Sequence, residues 1–384
     1  MSYFDQLVKR SEGSQLFDYH PNGHVQRCQC GQAVFFSNTR CLRCGAELGY
    51  HPQQGKLCSL QPGDNGERWA VSSPGALKGQ QFQRCANLQQ PAQCNWLVHD
   101  PATAPFCQAC ALNLTIPDLS YPDNGLYWFL IEEAKRRLIA QLVMLGLPVI
   151  SRQQDPQQGL GFKLLRHQPG APPVVTGHID GVITLDISEA DPAHREQVRQ
   201  NMREPYRTLL GHFRHESGHY YWDRLVRSSE WIEPFRALFG DERQDYQQAL
   251  DLHYSSGPPA DWRDSYISNY AASHPWEDWA ESWAHYLHMT DTLNVALDFG
   301  IHLDTLRLQT DHFKPEQLDD CVPGPGDQQA FIAFINRWVE LSSVLNVLAR
   351  SMGQADIYPF VLTLPSLKKL YLVHRIVAEN TGNQ

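Results

Sequence analysis

The chain has 384 residues, 42% hydrophobic and 11% aromatic, enough for two domains and at least one sizeable buried core. Its formal charge of −10 is unevenly divided: residues 1–115 carry 9 Lys+Arg against 7 Asp+Glu (+2), leaving 23 against 35 (−12) for the rest. A near-neutral first part and an acidic second part would repel phosphate, so a nucleic-acid partner is excluded from the expectations.

The opening MSYFDQLVKRSEGSQLF has no apolar core of signal-peptide length, and LIAQLVMLGLPVI is too short to cross a bilayer. A soluble cytoplasmic protein without a membrane partner is therefore expected. Nine of the ten cysteines fall between Cys28 and Cys110, in closely spaced pairs that read as metal ligands before disulfides. Cys28, Cys30, Cys41 and Cys44 form two knuckles whose four thiolates can close one tetrahedral zinc site, and Gly31 and Gly45 relieve the tight turns. Cys85, Cys94, Cys107 and Cys110 suggest a second such site. Cys58 has no obvious partner, and Cys321 is expected to be a small core residue.

With few regular apolar periods, residues 1–118 read as a double zinc-ribbon region stabilised by two structural zincs. A Pro-rich connector near residues 115–125 leads into a helical pattern from about Tyr127, and residues 119–384 read as a second domain. A strand-like segment, PPVVTGHIDGVITLDISEAD, precedes a helical stretch expected over residues 192–226.

That stretch carries His215-Glu216-Ser217-Gly218-His219. Histidines four apart on a helix present both imidazoles on one face, about 6 Å apart along the axis, which suits one zinc ion. Glu216 would sit beside the metal, where a general base takes a proton from activated water. HExxH alone is a short pattern, so a second signal is needed. SYISNYAASHPWEDWAESWAHYLHMTD supplies it: Glu277 and Glu281 lie one turn apart on a helix with a buried aromatic face. One glutamate can complete a His2Glu zinc site and the other can hold a ligating imidazole by its second nitrogen. His212, His274, His285 and His288 also lie near these motifs, with His274 and His285 expected nearest the site, whereas Tyr220, Tyr221 and Trp222 read as core packing.

These motifs resemble the zincin metallopeptidases of gluzincin type, in particular the group typified by the anthrax lethal factor catalytic domain. The whole chain is similar to bacterial zinc-binding metallopeptidases that join a zinc-ribbon region to such a domain. The resemblance implies Glu277 as the third ligand of the catalytic zinc beside His215 and His219, with Glu281 behind them. It also implies Tyr270, seven residues before Glu277, as donor to the substrate oxyanion, and a protein or peptide substrate adding to an edge strand over residues 182–185.

At the C-terminal end, Phe331, Ile332, Phe334, Ile335, Trp338, Val339, Leu341, Val344, Leu345 and Leu348 form an apolar stripe expected to be core, followed by a last helix over PSLKKLYLVHRIVAE. The expected fold is α+β, a small zinc-ribbon region joined to a mainly helical zincin-type domain with a small β-sheet, holding one catalytic and two structural Zn2+. A non-catalytic adaptor that binds a protein partner through its ribbons is the alternative; intact Glu216 favours the enzyme.

Overall fold

The structure, a computed structural model, describes residues 4, 6, 7, 9, 25–63, 68–99, 104–167, 170, 172, 174–202, 204–301, 303, 306, 308, 311–319, 321, 322 and 326–380. Most of the N-terminal stretch read above for a targeting signal lies outside the described residues. The architecture is α+β, strand-rich toward the N-terminus and helical toward the C-terminus. Contacts divide the chain into two units, residues 17–144 with 148–202, and residues 203–384 with 1–16 and 145–147.

The first unit begins with a two-stranded hairpin, β1 (Gln26–Arg27) and β2 (Ala33–Val34). A five-stranded antiparallel sheet follows in chain order: β3 (Glu47–His51), β4 (Lys56–Pro62), β5 (Trp69–Val71), β6 (Gln81–Arg84) and β7 (Leu97–Val98). Little apolar core was expected here, yet this sheet has one: Cys58, Leu60, Val71 and Leu97 are buried together, with Trp69, Leu77 and Phe82 packed against them. Cys58 is thus a core thiol.

His51 is also buried, its ring 5.0 Å from that of Phe82 and 5.1 Å from that of His99. Burial, helped by His99, pushes His51 down to about 4.

Helix α1 (Asn124–Met144) belongs to this unit and buries a complete polar network. Lys135 Nζ lies 2.7 Å from Glu132 Oε1, which also accepts from Asn113 Nδ2 at 2.8 Å and Trp128 Nε1 at 3.3 Å. With its hydrogen bonds supplied, the ion pair survives desolvation that would otherwise cost several kcal/mol. A four-stranded sheet completes the unit in the order β10 (Gly177–Ile179), β11 (Val182–Asp186), β9 (Gly161–Leu165), β8 (Asn113–Thr115). The expected edge strand over residues 182–185 is corrected here. β11 is central, antiparallel to β10 and parallel to β9, so its backbone groups are already paired.

The expected helix over 192–226 is two: α2 (Pro192–Asn201) and α3 (Leu209–Leu225). Pro205 cannot donate within a helix, and Thr208 caps the restart. In the second unit α3 is followed by α4 (Ile232–Phe239), α5 (Tyr246–Ser256), α6 (Trp262–Ser265), α7 (Pro275–Asp298), α8 (Gln328–Ser351) and α9 (Leu364–Asn380). Helix α9 ties to α7 through Lys369 Nζ, 2.6 Å from Asp278 Oδ2 and 2.8 Å from the Ser265 carbonyl. Phe4 packs into the same core, 5.3 Å from Phe334 and 4.1 Å from His374.

Among the described residues, α8 alone is long and apolar enough to cross a membrane. Phe331 and Trp338 on it pack against Tyr371 and Tyr358 of this unit. Its apolar stripe is core only in part: Phe331, Ile332, Phe334, Ile335, Trp338 and Leu341 are buried, whereas Leu348 is 56% exposed. Cys321 is half-buried and not a core residue.

His51 gives the fold a pH dependence with a definite sign. Its folded-state value lies below the ordinary 6.5, so the unfolded chain binds the proton more tightly and stability is lost as pH falls from 6.5 toward 4. Each pH unit in that window costs up to ~1.4 kcal/mol. Denaturant melts at pH 7, 6 and 5 should show a shallower decline for His51→Gln than for the parent; parallel profiles would mean that His51 does not titrate in this way.

Candidate functional site

Local chemistry fixes the starts of the two helices that form the site. The Thr208 hydroxyl accepts from Gly211 N at 3.0 Å, so α3 begins shortly before the histidines. At α7, His274 Nδ1 accepts from Trp276 N at 3.1 Å and Pro275 occupies the first turn. Glu277 and Asp278 therefore sit in the first turn, where the peptide dipoles favour negative charge. Burial still raises Asp278 to about 7 against the pull of Lys369.

The helices meet closely. Trp279 Nε1 donates to the Gly218 carbonyl at 2.9 Å, Trp283 Nε1 donates to Ser217 Oγ at 3.1 Å, and Tyr221 stacks on Trp283 with ring centres 4.9 Å apart. A Cβ on Gly218 would stand 2.9 Å from the Ala280 Cα. The glycine inside the HESGH stretch is what lets the backbones approach. Tyr220, Tyr221 and Trp222 are buried beside it, as core residues.

That approach brings His215, His219 and Glu277 together, their donor atoms all within 4.8 Å of one another. Glu277 Oε2 lies 2.9 Å from His215 Nε2 and 3.4 Å from His219 Nε2. Ligands ~2.1 Å from zinc at tetrahedral corners stand roughly 3.4 Å apart, so this donor set fits that ion. Glu281 lies outside the set. Its Oε1 is 2.8 Å from His215 Nδ1, and its Oε2 accepts from the Ser268 hydroxyl at 2.6 Å.

One imidazole is thus gripped on both nitrogens by carboxylates. Burial works to lower His215, but hydrogen bonds to Glu277 and then Glu281 outweigh it and raise it well above the ordinary value. Burial works to raise Glu277, yet His219 and His215 hold it well below the usual carboxylate range. The centre is electrostatically built to keep positive charge between its carboxylates.

Glu216 is buried, and its charge reaches both Tyr246 and Tyr270. The Tyr270 ring lies 5.8 Å from that of His215. Burial, then Glu277, raises the Tyr270 hydroxyl well above its ordinary value, so it stays a hydrogen-bond donor.

Three neighbours went unread in the sequence: Ser268 on Glu281, Tyr246, whose hydroxyl donates to Glu277 Oε1 at 2.6 Å, and Trp276 as a ring against the site, 3.8 Å from that of His219. Tyr246 stands 31 positions before its partner. Of the other histidines, His274 caps α7 and His285 Nδ1 lies 2.7 Å from the Tyr358 hydroxyl, with Glu281 close enough to oppose the burial that lowers it to about 4. His288 Nδ1 lies 2.7 Å from Arg214 Nη1. None of these three belongs to the ligand set.

In the other unit, Cys28, Cys30, Cys41 and Cys44 converge, as do Cys85, Cys94, Cys107 and Cys110, each set within 4.8 Å. Sulfur pairs stand 3.5 Å (Cys28 and Cys44), 3.8 Å (Cys30 and Cys41) and 3.6 Å (Cys94 and Cys107) apart. Four sulfurs 2.3 Å from zinc would stand ~3.8 Å apart, so both sets fit, and no pair is a disulfide. Cys41 is lowered to about 6, first by a backbone hydrogen bond from Cys44, which readies a thiolate. Buried Arg136 of α1 lies within electrostatic reach of Cys94, Glu132, Cys110 and Cys107, where its charge would favour thiolates on a metal.

Two tetrathiolate sets on a strand-rich region and a His/His/Glu set on packed helices define a zinc-ribbon protein with a metallopeptidase-type centre. The comparisons agree with that class. Residues 124–376 match the family described as "Putative zinc-binding metallo-peptidase", and residues 25–121 match a zinc-ribbon domain. The chain belongs to that metallo-peptidase family. It is 44% identical over 353 residues to an uncharacterized protein of Mycobacterium bovis, covering 91% of this chain and 94% of that protein. Uncharacterized proteins from two strains of Mycobacterium tuberculosis match with the same identity and coverage. No solved structure matches.

Gly218→Ala tests the helix contact. Alanine improves helix propensity by ~1 kcal/mol, but the methyl group meets backbone, and overpacking costs about 1–3 kcal/mol. The variant should melt lower and retain less metal at the histidines; a more stable variant with full metal would show that the helices need no such closeness.

Proposed function

We propose that the protein is a zinc-dependent peptidase of gluzincin type, similar in mechanism to the lethal factor group, that hydrolyses peptide bonds in a protein or peptide substrate. The observation that carries this is the convergence of His215 Nε2, His219 Nε2 and Glu277 Oε2 beside buried Glu216. In this reading His215, His219 and Glu277 hold a catalytic zinc, and the two cysteine sets hold one structural zinc each. Glu277 is favoured over Glu281 as ligand because Glu281 is spent on His215 Nδ1, where it fixes the ring so that Nε2 faces the metal.

A bound zinc supplies Lewis acidity, bringing the ionisation of water down toward ~7. Glu216 takes the proton as that water attacks the peptide carbonyl and later delivers it to the leaving amine. Tyr270, kept protonated by burial and by Glu277, donates to the developing oxyanion, a contribution typically of ~3 kcal/mol. The ribbons recruit or orient the protein substrate, and the enzyme works in the cytoplasm.

Zinc content per chain tests the metal centre: about three for the parent, falling to about two for His215→Ala/His219→Ala, from four donors at each cysteine set and three at the catalytic site. An unchanged count in the variant would mean that the histidines hold no metal and would hand the protein to the adaptor reading.

Glu216→Gln should keep all zinc and lose at least ~100-fold in peptide hydrolysis. Hydrolysis at parental rates by that variant would remove the proposed base. Glu277→Ala should weaken the catalytic metal far more than Glu281→Ala, and the opposite ranking in chelator competition would exchange their roles.

A further inference from the structure

The two oxygens of Glu277 face different partners. Oε2 faces both imidazoles, at 2.9 and 3.4 Å, whereas Oε1 accepts the Tyr246 hydroxyl at 2.6 Å. A hydrogen bond this short to a buried carboxylate is of the charge-assisted kind, among the stronger that a side chain makes.

The helix that delivers Tyr246 is unusual. No residue of α5 is buried, so it is not held in place as part of the core. It is set instead by its ends and by one line of side chains. Asp245 caps it, accepting from Gln248 N at 2.9 Å, and Gly257 ends it at φ 77. The Tyr246 ring lies 5.2 Å from that of His274 and 5.8 Å from that of Trp276, and two turns further on the His253 ring lies 6.0 Å from that of Tyr270. Each of these contacts is made to the α7 start or to Tyr270, around the same carboxylate.

We propose that Tyr246 is a positioning residue for the metal centre. By engaging Oε1 it restricts Glu277 to ligation through Oε2 alone, which keeps the remaining coordination position for water instead of a second carboxylate oxygen. This rests on the zinc reading given above. Helix α5 is then a bracket whose role is to carry that hydroxyl to the ligand. The tyrosine acts through Glu277 and does not itself touch substrate.

The test uses the full chain and zinc alone. Competition with a chromophoric chelator gives the affinity of the zinc that is missing from His215→Ala/His219→Ala. Tyr246→Phe keeps the ring and removes only the oxygen, and should weaken that zinc by 10- to 100-fold, the usual size of an outer-shell effect, while the two thiolate-held zincs keep their affinity. Tyr270→Phe should leave it unchanged. In a Glu277→Ala background, Tyr246→Phe should cost nothing more, because its partner is gone. Parental affinity in Tyr246→Phe, or the same loss with Glu277 already removed, would overturn the positioning role while leaving the zinc site intact. A parent with no more zinc than the double-histidine variant would instead overturn the zinc reading, and this inference with it.

Discussion

The close approach of α3 and α7 at Gly218 is the constraint on which the site depends. The His215, His219 and Glu277 set comes from two helices, and its donor atoms meet within a few ångströms only if the backbones carrying them nearly touch. A side chain at position 218 would stand where Ala280 already is. The helices are drawn together by Trp279, Trp283 and Tyr221, whose fully buried rings supply the apolar area and whose indole N–H groups are spent on the HESGH backbone and on Ser217. Burying aromatic side chains of this size is worth a few kcal/mol each. That is the scale needed to hold charged groups out of water.

Those charges are the second half of the arrangement. Glu277 and Glu281 are held beside α3 at a desolvation cost of several kcal/mol each, which only paired hydrogen bonds and positive charge can offset. Tyr246, Ser268 and the two nitrogens of His215 supply the hydrogen bonds. The neighbouring His219 and His215 lower Glu277 further. A cation shared by Nε2, Nε2 and Oε2 would meet the same electrostatic demand.

The strand-rich unit solves a different problem by related means. Its five-stranded sheet has a modest core around Leu60, Val71 and Leu97, and each of its two thiol sets brings four cysteines within 4.8 Å of one another. Thiols 3.5–3.8 Å apart repel one another once ionised and become an asset when a divalent ion neutralises them. Arg136 contributes fixed positive charge beside the second set, and the Glu132 and Lys135 pair anchors the same helix under it. A metal held by that set would stabilise the same corner of the unit as helix α1.

The sequence by itself determined whatever depends on local spacing: the cysteine pairs, His215 and His219 one turn apart, Glu216 between them, and Glu277 and Glu281 one turn apart on an aromatic helix. These are legible because helix and knuckle geometry fix where neighbours in sequence must point. The break at Pro205 went unread, although a proline inside a helical stretch interrupts it. Tertiary structure alone decided the rest. It divided the labour of the glutamates, setting Glu277 against both Nε2 atoms and Glu281 against Nδ1. It also placed β11 in mid-sheet instead of at an edge, left Leu348 exposed, and brought Tyr246 from a helix with no buried residue to the oxygen of Glu277 that the imidazoles leave free. Each of these turns on which surfaces meet across long stretches of chain, and periodicity reports only which face of an element is apolar, never what lies opposite it.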